Sequence, residues 1–137
     1  MNTLEDIRNY FSGDLYATET TGAVIEEAAD GYAKISLEIG DRHRNARGAV
    51  MGGVYLTLAD FACGVAGNHR IGEEPPCVSV NLNMNFLAAA QGKHLYAVAH
   101  AVRQGRSIVS FLVDLTDDSG TLVAQAQGIN YRLPRKD

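Results

Sequence analysis

One segment, residues 54–67, constrains the fold of this chain more than any other. It carries a single charged side chain, Asp60, among uncharged and mostly apolar residues. A helix that is apolar on every side belongs inside a protein, and at 1.5 Å per residue this one would be about 20 Å long. It is too short and too rich in Gly and Ala to span a bilayer. The sequence therefore predicts a central helix that needs a cover on every side.

Asp60 would lie in the middle of this helix, with no cationic residue one turn before or after it. Burial of a carboxylate without a partner costs several kcal/mol, so its presence needs a reason. Three interpretations compete: a structural hydrogen bond to backbone or water, an ion pair with a distant Arg, or chemistry in a cleft. The helix alone does not decide among them.

Two glycines, Gly52 and Gly53, stand where the helix should begin. The first-turn N–H groups have no acceptor within a helix, and the helix dipole favours negative charge there. Glycine lets a substrate approach these N–H groups closely. The pattern indicates an oxyanion hole with a carboxylate about two turns further along. A flexible Gly-Gly hinge is the alternative.

Alternating polarity and turn residues predict six strands and one further helix. Thr3 is a candidate N-cap for an amphipathic helix over residues 2–11. The predicted strands are 23–29, 32–39, 78–86, 93–104, 107–116 and 121–132. The order helix, two strands, long helix, four strands lacks βαβ alternation, so the sequence predicts an antiparallel sheet and the α+β class.

The segment 78–86 alternates strictly between polar and apolar residues, which predicts one polar and one apolar face. The two sets are Ser79, Asn81, Asn83 and Asn85, and Val78, Val80, Leu82, Met84 and Phe86. A whole face of uncharged polar side chains favours a surface covered by a ligand or by another subunit. Ordinary exposure at a sheet edge is the alternative.

Composition excludes several classes of protein. A length of 137 residues predicts one domain, and a net charge of −4 argues against nucleic acid as the main partner. The N-terminus carries Glu5 and Asp6 and has no apolar stretch of the signal-peptide kind. Cys63 and Cys77 lack CxxC spacing and are expected to be reduced core thiols of a cytoplasmic protein. The four histidines have no metal-ligand spacing, so no metal site is expected.

A longer motif carries a resemblance to a known family. The segment His43-x-Asn45-x-x-Gly48-x-x-Met51-Gly52-Gly53, followed by Leu58-Ala59-Asp60, resembles the signature of the hotdog-fold acyl-CoA thioesterases. It is most similar to the phenylacetate-pathway (PaaI-like) branch. The resemblance extends over nearly the whole chain, including Asp30-Gly31, Asn85-Phe86-Leu87 and Arg103-Gln104-Gly105-Arg106-Ser107.

The resemblance implies a hotdog fold, in which a curved antiparallel sheet of five to six strands wraps around the long central helix. It also implies homodimers with active sites at the subunit interface, which often associate into tetramers. Asp60 corresponds to the catalytic carboxylate, acting as general base or nucleophile. The backbone N–H of Gly53, with Gly52, corresponds to the group that polarises the thioester carbonyl.

Further substrate-binding positions follow from the same resemblance. Asp14 falls near a position that is usually Asn and helps place water or substrate. The turn of Arg103, Gly105, Arg106 and Ser107 resembles the part that contacts CoA. Asn45 is expected to brace the loop before the helix.

Two departures from the family pattern affect the site. Met51 stands where the family commonly has His, and Ala88-Ala89 replaces an Arg-Pro pair. A thioether cannot donate a hydrogen bond to a carbonyl oxygen and is a poor acceptor. If the His holds the substrate, its loss could lower the rate by about an order of magnitude.

The resemblance therefore predicts hydrolysis of an acyl- or aryl-acyl-CoA thioester to free acid and CoA, with no metal or organic cofactor. Three alternatives remain. The first is a non-catalytic acyl-CoA-binding module. The second is a hotdog hydratase or dehydratase, which needs a catalytic His that the helix beside Asp60 lacks. The third is a dimerisation domain without a ligand.

Overall fold

In the computed structural model of the protein, which describes residues 2–134, one antiparallel sheet curves around a central helix. The elements in chain order are helix α1 (Leu4–Phe11), a π-helical turn (Tyr16–Thr21), strands β1 (Val24–Ala29) and β2 (Tyr32–Glu38), a 3-10 turn (Asp41–His43), helix α2 (Gly52–Gly67), and strands β3 (Cys77–Phe86), β4 (His94–Gln104), β5 (Ile108–Asp117) and β6 (Leu122–Arg132).

The six strands form one sheet in the order β1-β2-β4-β5-β6-β3, and every neighbouring pair is antiparallel. Helix α2 packs against all six of them. The predicted element order, the α+β class and the hotdog fold are confirmed. Strands β1 and β3 form the two edges of the sheet, so the backbone of β3 has a free side on which another strand could pair.

Helix α1 begins with the predicted cap. The side chain of Thr3 accepts a 3.1 Å hydrogen bond from the Asp6 N–H, and the Asp6 carboxylate accepts one of 3.0 Å from the Thr3 N–H. Its buried residues Ile7 and Phe11 hold it against the core. The chain that follows α1 is thereby placed along one side of α2.

Small residues on the inner face of the sheet let α2 approach closely. In β6 the inward-facing positions are Ala124, Ala126, Gly128 and Asn130, all of them buried. A Cβ atom on Gly128 would lie 2.9 Å from Cys63 Sγ of the helix. Both cysteines, Cys63 and Cys77, are buried and unpaired, as predicted. Among residues 2–134, no helix combines the length and the apolar character needed to cross a membrane.

The cover that the sequence predicts for every side of α2 is incomplete within one chain, because one face stays open. Gly53, Thr57, Asp60 and Gly64 follow helical spacing and share that face. Gly53 and Asp60 are exposed, and Thr57 and Gly64 are half-buried. The reason is that a single curved sheet covers only part of the circumference of a helix. One stripe of α2, including its carboxylate, therefore stays open in the single chain.

The faces predicted for the segment 78–86 are wrong at its N-terminal end, because β3 contains a bulge there. Ser79 pairs with Asn130 and Asn81 pairs with Ile129, so Val80 is an extra residue between them. An extra residue reverses the facing of everything beyond it. Ser79 therefore faces α2 on the same side as Leu82, whereas the three asparagines lie on the outer face.

Candidate active site

The open face of α2 forms one wall of a cleft of about 590 Å³. The segment before β1 forms a second wall, and strands β3 and β6 form the floor. The lining residues are Asp14, Leu15, Tyr16 and Ala17, then Leu56, Thr57, Asp60, Phe61 and Gly64 of α2, and Cys77, Ser79, Leu82 and Asn130 of the sheet. This cleft combines an apolar surface with a few polar groups, as small-molecule sites usually do.

Asp60 lines this cleft and has a polar partner on the sheet. Ser79 Oγ donates a 2.7 Å hydrogen bond to Asp60 Oδ1. Among residues 2–134, no cationic side chain lines the cleft. The interpretation of Asp60 as half of an ion pair with a distant Arg is therefore not supported. A serine hydroxyl orients the carboxylate and leaves its second oxygen available to other groups.

A second carboxylate, Asp14, lines the same cleft. Burial raises the pKa of Asp14 above its ordinary value, and the negative charge of Asp60 raises it further. Two carboxylates without a cation between them disfavour simultaneous ionisation. The structure thus places Asp14 beside Asp60.

The two thiols near the cleft are unsuited to be nucleophiles. Burial, followed by the negative charge of Asp60, raises the pKa of Cys63 to about 12. Burial also raises the pKa of Cys77. Because the thiolate is the reactive form, neither cysteine competes with Asp60 for chemistry.

The glycines at the start of α2 do not line this cleft. Gly52 is the first residue of the helix, and Met51 before it supplies no side-chain cap for the first-turn N–H groups. The ring of Phe86 lies 3.2 Å from where a Cβ on Gly52 would sit, whereas the corresponding position on Gly53 faces open space. Asp60 comes seven positions after Gly53, which is about 10.5 Å along a helix. Within one chain, a single thioester carbonyl cannot contact both.

Met51 and Asn45 lie on the loop that leads into α2. Met51 is 59% exposed. Asn45 Oδ1 accepts hydrogen bonds from the N–H groups of Arg47, at 3.0 Å, and of Ala49, at 3.2 Å. The Asn45 side chain therefore braces the loop and does not line the Asp60 cleft.

The turn between β4 and β5 borders a different groove, with a volume of about 930 Å³. Gly105, Arg106 and Ser107 line it, together with Arg70 and Arg132, whereas Arg103 does not. Arg103 pairs with Ser110 after a bulge and lies on the outer side of the sheet. The structure thus separates the two arginines of the turn, and it shows no residue common to this groove and the Asp60 cleft.

Two polar residues of the cleft, Ser79 and Asn130, are not among the residues predicted from sequence. Alternation alone predicts the wrong face for Ser79, because the bulge at Val80 leaves no mark in the sequence pattern. Asn130 had a signal, because alternation from Ala124 onward places it on the inward, small-residue side of β6. A polar side chain at an apolar position is the exception that indicates a site.

Comparison with known proteins places this architecture in a family. The sequence pattern of the thioesterase superfamily matches residues 47–124. Human acyl-coenzyme A thioesterase 13 is 31% identical over 108 residues, which cover 73% of this chain and 72% of that protein. A 1,4-dihydroxy-2-naphthoyl-CoA hydrolase from Listeria monocytogenes is 28% identical over 105 residues, covering 77% of this chain and 85% of that one.

A solved structure indicates the same family as the two sequence relatives. A mutant form of the phenylacetic acid degradation protein PaaI from Thermus thermophilus superposes with a TM-score of 0.77 at 27% identity, covering 85% of this chain and 97% of the other. The predicted resemblance is confirmed, and so is the enzyme class. The chain belongs to the thioesterase superfamily, as a hotdog-fold thioester hydrolase.

Proposed function

We propose that this protein hydrolyses an acyl-CoA thioester to a free acid and CoA, with Asp60 as the catalytic carboxylate. The hydrogen bond from Ser79 to Asp60, within a cleft with apolar walls, carries the proposal. Oδ1 is held by the hydroxyl, and Oδ2 is available to take a proton from water or to attack the carbonyl carbon.

The bond changes follow from this arrangement. As a general base, Asp60 removes a proton from water while the water oxygen bonds to the thioester carbon. The C–S bond then breaks, and the proton passes to the departing thiolate. As a nucleophile, Asp60 Oδ2 bonds to the thioester carbon, the C–S bond breaks, and CoA leaves as a thiolate that takes a proton from water. A second water molecule then hydrolyses the resulting anhydride and regenerates the carboxylate. Neither route requires a metal or an organic cofactor, because a thiolate is a good leaving group.

The complete site needs two copies of the chain, since Gly53 and Asp60 of one helix lie too far apart for one carbonyl. Two antiparallel copies of α2 side by side would set the first-turn N–H groups of one copy opposite Asp60 of the other. Those N–H groups would form the oxyanion hole. The open stripe of α2 and the free edge of β3 are the surfaces available for this pairing. A homodimer is therefore part of the proposal, and association into a tetramer stays a prediction.

The positions of the acyl group and of the CoA phosphates are assigned from the residues that line each cavity. The acyl group lies against apolar residues of the cleft, of which Leu56, Phe61 and Leu82 are examples. The CoA phosphates carry negative charge, which suits Arg106 in the second groove, because Arg70 and Arg132 there are already paired with Glu74. Because this groove shares no residue with the Asp60 cleft, the phosphates of one substrate could bind to a different copy from the one that supplies Asp60. The expected cytoplasmic location also stays a prediction.

A thiol-release assay over short, medium, long and aromatic acyl-CoA esters tests the function. We expect turnover of at least one chain-length class, with release of one thiol per ester consumed. Tight binding of acyl-CoA in calorimetry without thiol release would instead identify a binding module. Hydration of an enoyl-CoA without thiol release would identify a hydratase, although among residues 2–134 no histidine lines the cleft. A protein that neither binds nor hydrolyses acyl-CoA would be a dimerisation domain without a ligand.

A matched pair of valines tests the composite site. Val80 and Val102 are 61% and 62% exposed, and each lies at a bulge, the first in edge strand β3 and the second in interior strand β4. We expect Val80→Lys to shift the protein from dimer to monomer in light scattering and to lower turnover. Val102→Lys should leave both unchanged. A fully active monomer would contradict a site shared between two chains.

A further inference from the structure

The floor of the cleft contains a polar side chain to which the proposed chemistry gives no role. Asn130 is 2% exposed and lines the cleft from strand β6. Its neighbours on the adjoining strands are Ser79 of β3 and Val109 of β5. Asn130 is thus directly beside the serine that holds Asp60.

Asn130 also stands apart from the other buried polar side chains. Its Nδ2 is the one fully buried side-chain nitrogen or oxygen without a hydrogen-bond partner in the part of the chain that the structure describes. By contrast, His43 contacts the Thr21 carbonyl oxygen at 2.6 Å, and Asp117 accepts a 2.6 Å bond from Ser119. Buried donors are almost always paired, and a donor left unpaired destabilises the folded protein. An unpaired donor on a side chain that lines a substrate cleft therefore indicates a missing ligand atom.

The space around Asn130 is consistent with this reading. Gly64 and Gly67 of α2 lie at this end of the helix. A Cβ on Gly64 would meet no atom within 4 Å, and one on Gly67 would lie 3.6 Å from Asn130 Nδ2. The neighbouring ring of Phe111 is apolar and offers no acceptor. Gly67 does not line the cleft, so Nδ2 is directed towards the helix, whereas the Asn130 side chain as a whole borders the cleft.

We propose that Asn130 determines substrate specificity by donating a hydrogen bond to an oxygen of the acyl group. This inference rests on the proposed hydrolysis and deepens it. Side chains of directly opposed strand residues lie about 5 Å apart, so the Asn130 amide is about that far from the Ser79 side chain. An acyl oxygen a few bonds from the thioester carbonyl would span this distance. The cleft therefore favours acyl groups oxygenated near carbon 3 over plain alkyl groups of the same length.

The amide can reach such an oxygen without a change in the backbone. The last torsion of an Asn side chain is broad and nearly two-fold, so Nδ2 and Oδ1 can exchange places, which turns Nδ2 from Gly67 towards the cleft at little torsional cost. An apolar acyl group of the same size would leave the donor unpaired. The discrimination thus comes from one buried group and should be lost when that group is removed.

The test compares butanoyl-CoA with each enantiomer of 3-hydroxybutanoyl-CoA. We expect kcat/KM of the wild-type enzyme to favour one hydroxylated ester by about tenfold, the value of one good hydrogen bond. Asn130→Leu, similar in shape to Asn, should bring this preference to about one, mainly by raising KM for the hydroxylated ester. Asn130→Ser, whose hydroxyl is too short to reach, should do the same. Gln127→Leu, exposed on the outer face of the same strand, is the matched control and should keep the preference.

Two further measurements separate specificity from structure and from catalysis. Since Nδ2 is unpaired, Asn130→Leu should keep or raise the melting temperature. The same pairs of esters are titrated by calorimetry into the Asp60→Asn protein, with and without Asn130→Leu. A preference in Kd that Asn130→Leu removes supports the inference even if turnover fails, in which case only the hydrolysis proposal is lost. The inference is overturned if the wild-type enzyme shows no preference or if the protein binds neither ester. It is also overturned if Asn130→Leu leaves the preference unchanged or weakens both esters equally.

Discussion

Ser79 Oγ lies 2.7 Å from Asp60 Oδ1, and this hydrogen bond joins the edge strand β3 to the open face of the central helix. The contact exists because the bulge at Val80 turns Ser79 inward. A surface carboxylate on a helix usually has several side-chain rotamers available to it. Here the hydroxyl selects one of them and holds the carboxylate within the cleft.

Replacing Asp60 with Asn should abolish hydrolysis while leaving the protein folded. The amide is nearly the same size and can keep a hydrogen bond to Ser79, but it is neither a base nor an effective nucleophile. We expect kcat to fall by a factor of at least about 10² in the thiol-release assay. Asp114→Asn is the control, because Asp114 contacts Gln125 on the outer face of the sheet. Equal turnover by wild type and Asp60→Asn would remove Asp60 from the mechanism.

Ser79→Ala should lower kcat by about tenfold with little change in KM, because the carboxylate loses the group that orients it. Ser36→Ala is a matched control, since Ser36 Oγ donates a similar 2.6 Å bond to Glu26 away from the cleft. In the Asp60→Asn background, Ser79→Ala should have no further effect on kcat. Additive losses would show that Ser79 acts independently of Asp60.

The fold was predictable because it rests on patterns that one chain contains. The apolar segment before Gly67 indicates the helix, and alternation in β2, where Ala33 and Ile35 are buried, indicates a half-buried strand. The Thr3–Asp6 cap also follows from local sequence. Each of these features depends on residues that are close together in the sequence, so it can be predicted without knowledge of tertiary contacts.

The cleft was predictable only in part, since its geometry depends on contacts between distant segments. Asp60 stands out as a lone charge, but its exposure depends on how far the sheet reaches around α2. The inward position of Ser79 depends on a bulge that is set by pairing with β6. The separation of Arg103 from Arg106 similarly follows from a bulge in β4. Alternation alone does not reveal an inserted residue.

Asp14 should reduce the stability of the folded protein at neutral pH. Its pKa is raised in the fold by burial and by the charge of Asp60, so the folded state binds a proton more tightly than the unfolded state does. The stability that protonated Asp14 contributes is fully present below pH 3.8, the pKa of this group in the unfolded chain. It is lost as pH rises through the raised pKa of the folded state. Asp14→Asn should therefore melt higher than wild type at pH 7 and equally at pH 3. Scanning fluorimetry across this range measures the difference.

Asp6 supplies a control of opposite sign. Hydrogen bonds from the Thr3 N–H and hydroxyl lower its pKa, so its ionised form stabilises the fold above pH 3.8. Asp6→Asn should melt lower than wild type at pH 7, and this difference should shrink as pH falls through the lowered pKa. Equal melting of Asp14→Asn and wild type at pH 7 would mean that Asp14 ionises freely in the cleft.

Met51→His should raise turnover by up to about tenfold if the thioether is a handicap. Met51 is 59% exposed directly before the first helical N–H groups, so an imidazole there could donate to the carbonyl that those groups polarise. Met51→Leu removes the sulfur without adding a donor, and it should leave kcat/KM unchanged. No gain with His would show that another group already fills this role.

The close contact between Gly128 and Cys63 predicts a stability effect that one second substitution should reverse. A Cβ on Gly128 would lie 2.9 Å from Cys63 Sγ, so the helix or the strand must shift to admit a methyl group. We expect Gly128→Ala to lower the free energy of unfolding by about 1–3 kcal/mol in urea titrations, the usual cost of overpacking a core. Cys63→Ala alone should cost less, since it removes one atom. If steric overlap is the cause, the double variant should be more stable than Gly128→Ala alone. Its loss in free energy of unfolding should be smaller than the sum of the two single losses. Additive losses would instead assign the cost to a neighbour other than Cys63, such as Leu82, whose Cδ1 would lie 3.6 Å from the added Cβ.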